Sequence, residues 1–409
     1  MITKFVYLGK FYFLVLLMLV INCQGPVKEA KGDNVESTEA KAKRLSQELM
    51  LIDAHIDVPY RLVEEWEDIS GRTGKGHFDF KRAREGGLDV PFMSIYVGAS
   101  YQESGGALEK ADELIDLVNG FAEQWPDKFA VAHSVADVHR HFNKGKIALP
   151  MGMENGAPVE DDLDNLRHFY ERGIRYITLC HSKWNQICDS SYDPDKHWNG
   201  LSPFGREVVK EMNRLGIMVD ISHVSDSAFY QVLDITEAPL VATHSSCRHF
   251  TPGFERNMSD DMIRKLADNG GVIQINFGTY FINGEHQQKM SKAWDLVDRS
   301  SMNSEEQAAY IEKYKKENDV PQGSIEEVAD HIDHVVNLVG IDHVGIGSDF
   351  DGVNNLPEGL SDVSMYPNLI KILLDRGYSD EDIQKIWSGN ILRVWQEVED
   401  LAKKNIEAV

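Results

Sequence analysis

Apolar residues return along the chain in eight short runs, each leading into polar or helical sequence. In order they read MLIDAHID (50–57), VPFMSIYVG (90–98), KIALPMGMEN (146–155), IRYITLCHS (174–182), GIMVDISHV (216–224), PLVATHSS (239–246), GVIQINFG (271–278) and HVGIGSDF (343–350). The runs are nearly continuous rather than alternating, as expected of strands covered on both faces. Between most of them lie stretches with helical spacing, such as GALEKADELIDLVNGFAEQW and IEEVADHIDHVVNLVG. Gly173, Gly216 and Gly271 each stand between a helical stretch and the next strand, where a C-terminal helix cap is expected. Eight strand–helix units in series predict a parallel α/β sheet closed into a (β/α)8 TIM barrel rather than an open sheet.

Two stretches depart from the alternation. KFAVAHSVADV (128–138) is read as a short added strand or hairpin before the third run. Residues 284–322 are charged and helix-prone and precede the last barrel helix. They are expected as a solvated helical excursion, and their place at the C-terminal end of the barrel strands also suits a lid or a subunit contact.

The N-terminus changes the picture of where the chain works. Residues 1–22 carry Lys4 and Lys10, no acid, and an apolar run from Phe11 to Ile21. That run is shorter than the ~20 residues of a membrane span and reads as a signal peptide. The LVINC stretch resembles a bacterial lipoprotein signal, although Asn22 stands where a smaller residue is usual. The resemblance implies export to the periplasm or cell surface, with Cys23 lipidated and holding the protein to a membrane. Residues 23–42 are polar and are expected as a flexible tether, leaving 43–405 as one catalytic-sized domain.

Charge then removes one class of partner. With 66 acidic against 42 basic residues, the net charge is −24, and no basic run offsets it, so nucleic acid is excluded. Cys180, Cys188 and Cys247 allow at most one internal bridge, of which Cys180–Cys188 is the pair closest in sequence.

In barrels of this kind, chemistry sits at the C-terminal ends of the strands. His55 and Asp57, two apart and so on one side of the first strand, are followed by Glu154, His181, His223, His244 and Asp349 at the ends of later runs. A single such residue is more often a satisfied core or loop group. Recurrence at the same end of six strands points instead to a site, and its nitrogen and oxygen donors suit Zn²⁺, with Mn²⁺ or Co²⁺ as further fits. Two metals close together imply metal-assisted hydrolysis. Asp351 is read as shaping a turn, Asp220 as a partner behind a ligand, His249 as a loop residue, and Trp184 and Trp198 as loop packing.

The strand-end pattern resembles the metal-dependent amidohydrolase superfamily. Within it, IDAHIDVP, GMENG, RYITLCHS, GREVVKEMNRLGIMVDISHVSD, THSSCRHF, RNMSDDMIRKL, GIGSDFDGV and GNILRVW resemble the membrane (renal) dipeptidase family, from about residue 45 to 400. That resemblance implies a dipeptidase acting on L,L dipeptides and, as a second class, L,D dipeptides, through a hydroxide shared by two Zn²⁺. His55 and Asp57 would bind one ion and His223 and His244 the other, with Glu154 bridging. His181 would contact the substrate carbonyl and oxyanion, Arg256 the substrate carboxylate, Asp349 the proton and the free amine, and Tyr280 the substrate side. A homodimer is also implied. Two rivals share these residues: a hydrolase of N-acyl amino acids, lactones or β-lactams, which needs no free amine, and a catalytically silent surface binding protein.

Overall fold

Each of the eight runs contributes a strand to one parallel sheet. The computed structural model describes residues 36–297 and 302–407. Its strands are β1 (Leu51–Ile56), β2 (Leu88–Tyr96), β3 (Phe129–Val131), β4 (Ile147–Leu149), β5 (Met151–Glu154), β6 (Ile174–Thr178), β7 (Met218–Asp220), β8 (Val241–Ser245), β9 (Val272–Ile275) and β10 (Val344–Ile346). The sheet order is β1-β2-β5-β6-β7-β8-β9-β10. Its two edges meet where Ile56 bridges Phe350: the Asp349 amide donates to the His55 carbonyl (3.1 Å) and the Asp57 amide to the Phe350 carbonyl (2.9 Å). The predicted (β/α)8 barrel is therefore the observed fold, and these two bonds bring His55, Asp57 and Asp349 to the same point of its rim.

One buried cluster fills the barrel and its base. Ile52, Val90, Phe92, Tyr176, Met218, Val241 and Val272 from the strands meet Val394, Trp395 and Val398 of the C-terminal helix Asn390–Glu407. Each such side chain contributes roughly 1.5–3 kcal/mol by leaving water. Apolar packing thus closes the end of the barrel away from the strand C-termini, which leaves the polar residues at the opposite mouth.

Several local expectations are corrected. The third run is two strands, because Pro150 has no amide hydrogen and the chain changes partner there. β4 pairs in parallel with β3 in a separate two-stranded sheet, and β5 continues in the barrel beside β2. KFAVAHSVADV is thus a strand followed by the helix Val135–Phe142, not a hairpin. Gly173 and Gly216 have the left-handed φ expected of caps (106° and 86°), but at the third site Gly270 (82°) takes that role, and Gly271 instead passes close to the Leu240 carbonyl.

The folded domain begins earlier than residue 43. A helix runs over Thr38–Glu48, with the Ser37 hydroxyl accepting from the Ala40 amide (3.2 Å) and Ala42 and Leu45 buried. Only a thin apolar stripe marks that helix in a charged stretch, which is why composition read it as tether. The expected signal peptide, Cys23 and the expected tether as far as residue 35 lie outside the described residues. Cys180, Cys188 and Cys247 are buried and free, so the Cys180–Cys188 bridge is not formed.

The 284–322 insertion is more than a solvated excursion. Its helices Gly284–Leu296 and Ser304–Glu317 enclose a small core of Met290, Ala293, Val297 and Ile311. Beside that core lies a cavity of about 390 Å³, whose walls include Tyr280, Trp294 and Val353.

Candidate metal centre

The mouth of the barrel is built around one carboxylate. Glu154 ends β5, and its Oε1 lies 3.1 Å from His223 Nε2, 3.3 Å from His244 Nε2 and 3.5 Å from His181 Nε2. Its Oε2 accepts from the Ser94 hydroxyl (3.3 Å) and lies 3.4 Å from His55 Nε2. Asp57 Oδ2 is also 3.4 Å from His55 Nε2. Asp57 stands at the start of the helix Val58–Glu64, whose Pro59 is compatible with the first helical turn and leads the chain away from β1. His223 and Asp349 follow their strands with left-handed φ of 69° and 64°. Such conformations cost roughly 1–3 kcal/mol and concentrate at functional sites.

A layer of polar contacts fixes the side chains of this cluster. Asp220 accepts hydrogen bonds from the hydroxyls of Thr178 (2.5 Å) and Thr243 (2.6 Å) and from the amides of Ser222 and Thr243 (both 2.9 Å). With its proton given to Asp220, the Thr243 oxygen accepts from His244 Nδ1 at 2.9 Å. That leaves His244 Nε2 as a bare lone pair facing Glu154 and His223. Asp220 thus stands behind His244 and reaches it through Thr243. On the other side of the ring, His55 Nδ1 is 2.8 Å from the Tyr176 hydroxyl, and Asn276 donates to Asp349 Oδ2 at 2.7 Å.

Two glycines in the motifs make room for these contacts. A Cβ on Gly152 would lie 1.9 Å from the Tyr176 ring, and one on Gly352 would lie 2.2 Å from Asp57 Oδ2 and 2.3 Å from Asp349 Oδ1. Gly152→Ala is therefore expected to displace Tyr176 and, through it, His55, and to destabilise the fold by about 1–3 kcal/mol. Melting temperature and metal content should both fall. Wild-type values of both would show that Tyr176 does not depend on this approach.

Electrostatics and unsatisfied atoms together test whether a metal fits. Burial and the His55 charge push His244 down to about 4, and burial with the Arg256 charge holds His223 well below its usual range, so both rings present neutral nitrogen. Burial opposes ionisation of Glu154, yet His55, His181, His223 and His244 together hold it well below the usual carboxylate value. Burial and the Asp57 and Glu154 charges push Asp349 well up. At His55, burial disfavours a charge, but Tyr176, Asp57 and Glu154 outweigh it and draw positive charge to that ring. His55 Nε2 and Asp57 Oδ1 are buried without a hydrogen-bond partner, and the His223 and His244 Nε2 atoms are 2.9 Å apart. The neutral His223 and His244 rings, an ionised carboxylate beside them, surroundings that draw positive charge to His55, and orphaned ligand atoms form groups suited to divalent transition ions: His55 with Asp57 and Asp349, His55 with Glu154 and His244, and Glu154 with His181 and His223.

The cleft above this cluster has a volume of about 640 Å³ and is lined by Asp57, Glu154, His181, His223 and Asp349 together with Tyr60, Tyr96, Tyr192 and Phe281. Tyr96 packs edge-on against His181 (4.8 Å between centroids) and Tyr60 against Tyr96 (5.1 Å). Tyr96 ends β2 and was open to the same strand-end rule that singled out the cluster. Tyr192 lies in an irregular loop, where no periodicity marks it.

Tyr280 is a correction. Its hydroxyl bonds Ser291 Oγ at 2.6 Å and it faces the insertion's cavity, while its neighbour Phe281 lines the cleft. The two follow each other in the short helix Thr279–Ile282, where successive side chains point about 100° apart. Arg256 lies buried behind the cleft wall, donating to Ser245 Oγ (2.8 Å) and the His244 carbonyl (2.7 Å), with Nε lacking a protein partner. Asp351 accepts from the His77 amide (2.6 Å) and Arg61 Nε (3.0 Å), fixing its turn as expected. Trp184 stacks on His197 (4.0 Å) beside Trp198, away from the metal cluster.

Known proteins resemble this chain in sequence and fold. Residues 39–408 match the family model described as membrane dipeptidase, peptidase family M19. The chain is 36% identical over 334 residues to dipeptidase tcpJ of Claviceps purpurea, an alignment covering 80% of this chain and 70% of that protein. Its fold is similar to the crystal structure of the probable dipeptidase PvdM from Pseudomonas aeruginosa, with a TM-score of 0.78, 29% identity, and coverage of 89% of this chain and 99% of the other. It is also similar to a metallo peptidase from Rhodobacter sphaeroides liganded with a phosphinate mimic of the dipeptide L-Ala-D-Ala, with a TM-score of 0.71, 26% identity, and coverage of 86% and 99%.

Proposed function

Because this chain belongs to the membrane dipeptidase family, peptidase family M19, we propose that its barrel-mouth cluster holds two zinc ions and hydrolyses both L,L and L,D dipeptides. That it is a metal-dependent dipeptidase is carried by the family match and by its dipeptidase relatives. His55 and Asp57 would hold one ion and His223 and His244 the other, with Glu154 between them. When bound, the ions supply Lewis-acid polarisation of the peptide carbonyl and acidify the attacking water.

The rest is work for the chain's own side chains. His181, beside Glu154 and partly exposed to the cleft, is placed to donate to the carbonyl oxygen as negative charge develops there. Asp349 takes the proton of the nucleophile and returns it to the leaving amine. The Arg256 charge, with its Nε unpartnered, suits the substrate carboxylate. A cleft that engages the amine at one end and the carboxylate at the other selects substrates two residues long. Tyr60, Tyr96, Tyr192 and Phe281 give the substrate side chains an aromatic surround. The observation that carries this reading is the single Glu154 carboxylate within 3.5 Å of four imidazoles.

The test is hydrolysis of a panel of L,L and L,D dipeptides and their N-acetylated forms by metal-analysed protein. Free dipeptides should be cleaved at least about tenfold faster than capped ones, the value of one charged hydrogen bond. Two zinc equivalents should accompany full activity. Faster cleavage of capped substrates would replace this reading with an N-acyl amino-acid hydrolase.

A further inference from the structure

Outside the cleft, His249, Asp260 and His334 come together from three separate parts of the chain. His249 lies in the turn Arg248–Phe250 after β8, Asp260 opens the helix Asp260–Asp268, and His334 lies on the helix Ile325–Val339. His334 Nε2 is 2.8 Å from Asp260 Oδ1. The His249 and His334 rings stack with centroids 4.4 Å apart and planes 23° from parallel. One donor atom from each of the three residues lies within 4.8 Å of the other two. An ion pair alone would account for His334 and Asp260. It would not account for His249, which makes ring contacts with Phe250 and His334 but no hydrogen bond among the described residues.

The elements that carry the two histidines are also held from beneath. His331, one turn before His334 on the same helix, is buried; its Nδ1 accepts from the Cys247 amide (3.0 Å) and its Nε2 donates to the Ile282 carbonyl (3.1 Å). The Phe250 ring sits 4.4 Å from the His331 ring. The turn that carries His249 is thereby fixed to the helix that carries His334, so little ordering is required before a ligand can bind.

We propose that His249, Asp260 and His334 form a surface metal site, separate from the catalytic centre, that takes one dication of the Zn²⁺, Ni²⁺ or Cu²⁺ type. Two imidazole nitrogens and one carboxylate oxygen favour these ions over Ca²⁺ and Mg²⁺, which prefer oxygen alone, and leave further positions to water. The site ties the turn after β8 to the helix Ile325–Val339, so its ion adds thermal stability there without entering the catalytic cluster.

The test uses full-length protein carrying its catalytic metals, dialysed against micromolar Zn²⁺ and compared with His249→Asn and His334→Gln. Wild type should retain one more zinc equivalent than either variant. Its melting temperature should rise on adding Zn²⁺ by an amount that both variants lose, while all three hydrolyse dipeptide at the same rate. Equal zinc content and an equal thermal shift in wild type and His249→Asn would overturn the site and leave His334–Asp260 as a plain ion pair. His249 is exposed, so its replacement leaves the core untouched and decides the matter even if His334→Gln folds poorly.

Discussion

Glu154→Gln is expected to leave the barrel folded while metal content and turnover fall together. Gln has the same size and can keep one oxygen toward the Ser94 hydroxyl, 3.3 Å away in the wild type. What it loses is the negative charge shared by His55, His181, His223 and His244. Where its NH₂ faces a metal position, it offers a donor to an ion that requires a lone pair. Removing one partner of a buried charged set costs about 3–5 kcal/mol, or a ~10²–10⁴-fold loss in metal affinity. Glu154→Asp keeps the charge but is one methylene shorter, so it cannot span His55 on one oxygen and His223 on the other, and it should lie between wild type and Gln. Metal analysis of folded protein beside kcat/KM, with and without added Zn²⁺, reads both quantities. If the loss is one of affinity, excess Zn²⁺ restores part of the Gln variant's activity. A Gln variant with wild-type metal content and turnover would remove Glu154 from the centre.

The centre was legible in the sequence for a specific physical reason. A parallel strand buried on both faces has little use for imidazole or carboxylate, so His55, Glu154, His223, His244 and Asp349 stood out at the ends of apolar runs. Asp220 was open to the same reasoning, although its route to His244 through Thr243 depends on two strands in register and becomes visible only in three dimensions. Features that depend on local geometry were not legible. Tyr280 and Phe281 are adjacent and equally aromatic, and a one-turn helix decides which of them meets the cleft. The exchange of partner at Pro150 depends on β3, whose three residues carry too little pattern to announce a second sheet. The Gly152–Tyr176 contact joins neighbouring strands and explains the glycine in GMENG by the ring that needs its space. His249 looked like an ordinary loop residue because its companions, Asp260 and His334, are remote from it in sequence.

Asp349→Asn is expected to separate chemistry from metal binding, which Glu154→Gln cannot do. Asn adopts the left-handed conformation of residue 349 as readily as Asp, so the backbone after β10 and the bond from the Asp349 amide to the His55 carbonyl (3.1 Å) should survive. The Asn side-chain oxygen can still accept from Asn276, now 2.7 Å from Asp349 Oδ2. Residue 349 belongs to one candidate group, with His55 and Asp57, but not to the two built on Glu154, so metal content should fall less than in Glu154→Gln. The amide cannot take up a proton from the nucleophile. Loss of a positioned acid–base group lowers rate by about 10²–10⁴-fold, and here the loss should fall on kcat with a smaller change in KM. The pH profile adds an independent readout. Burial and the Asp57 and Glu154 charges oppose ionisation of Asp349, so wild-type kcat/KM should fall as pH drops through its raised pKa, because the ionised form is the one that accepts the proton. The residual activity of Asp349→Asn should lack that acidic limb. An Asn variant that keeps both the limb and wild-type kcat would transfer the proton-handling role to another group in the cleft, with His181, already beside Glu154, as the nearest candidate.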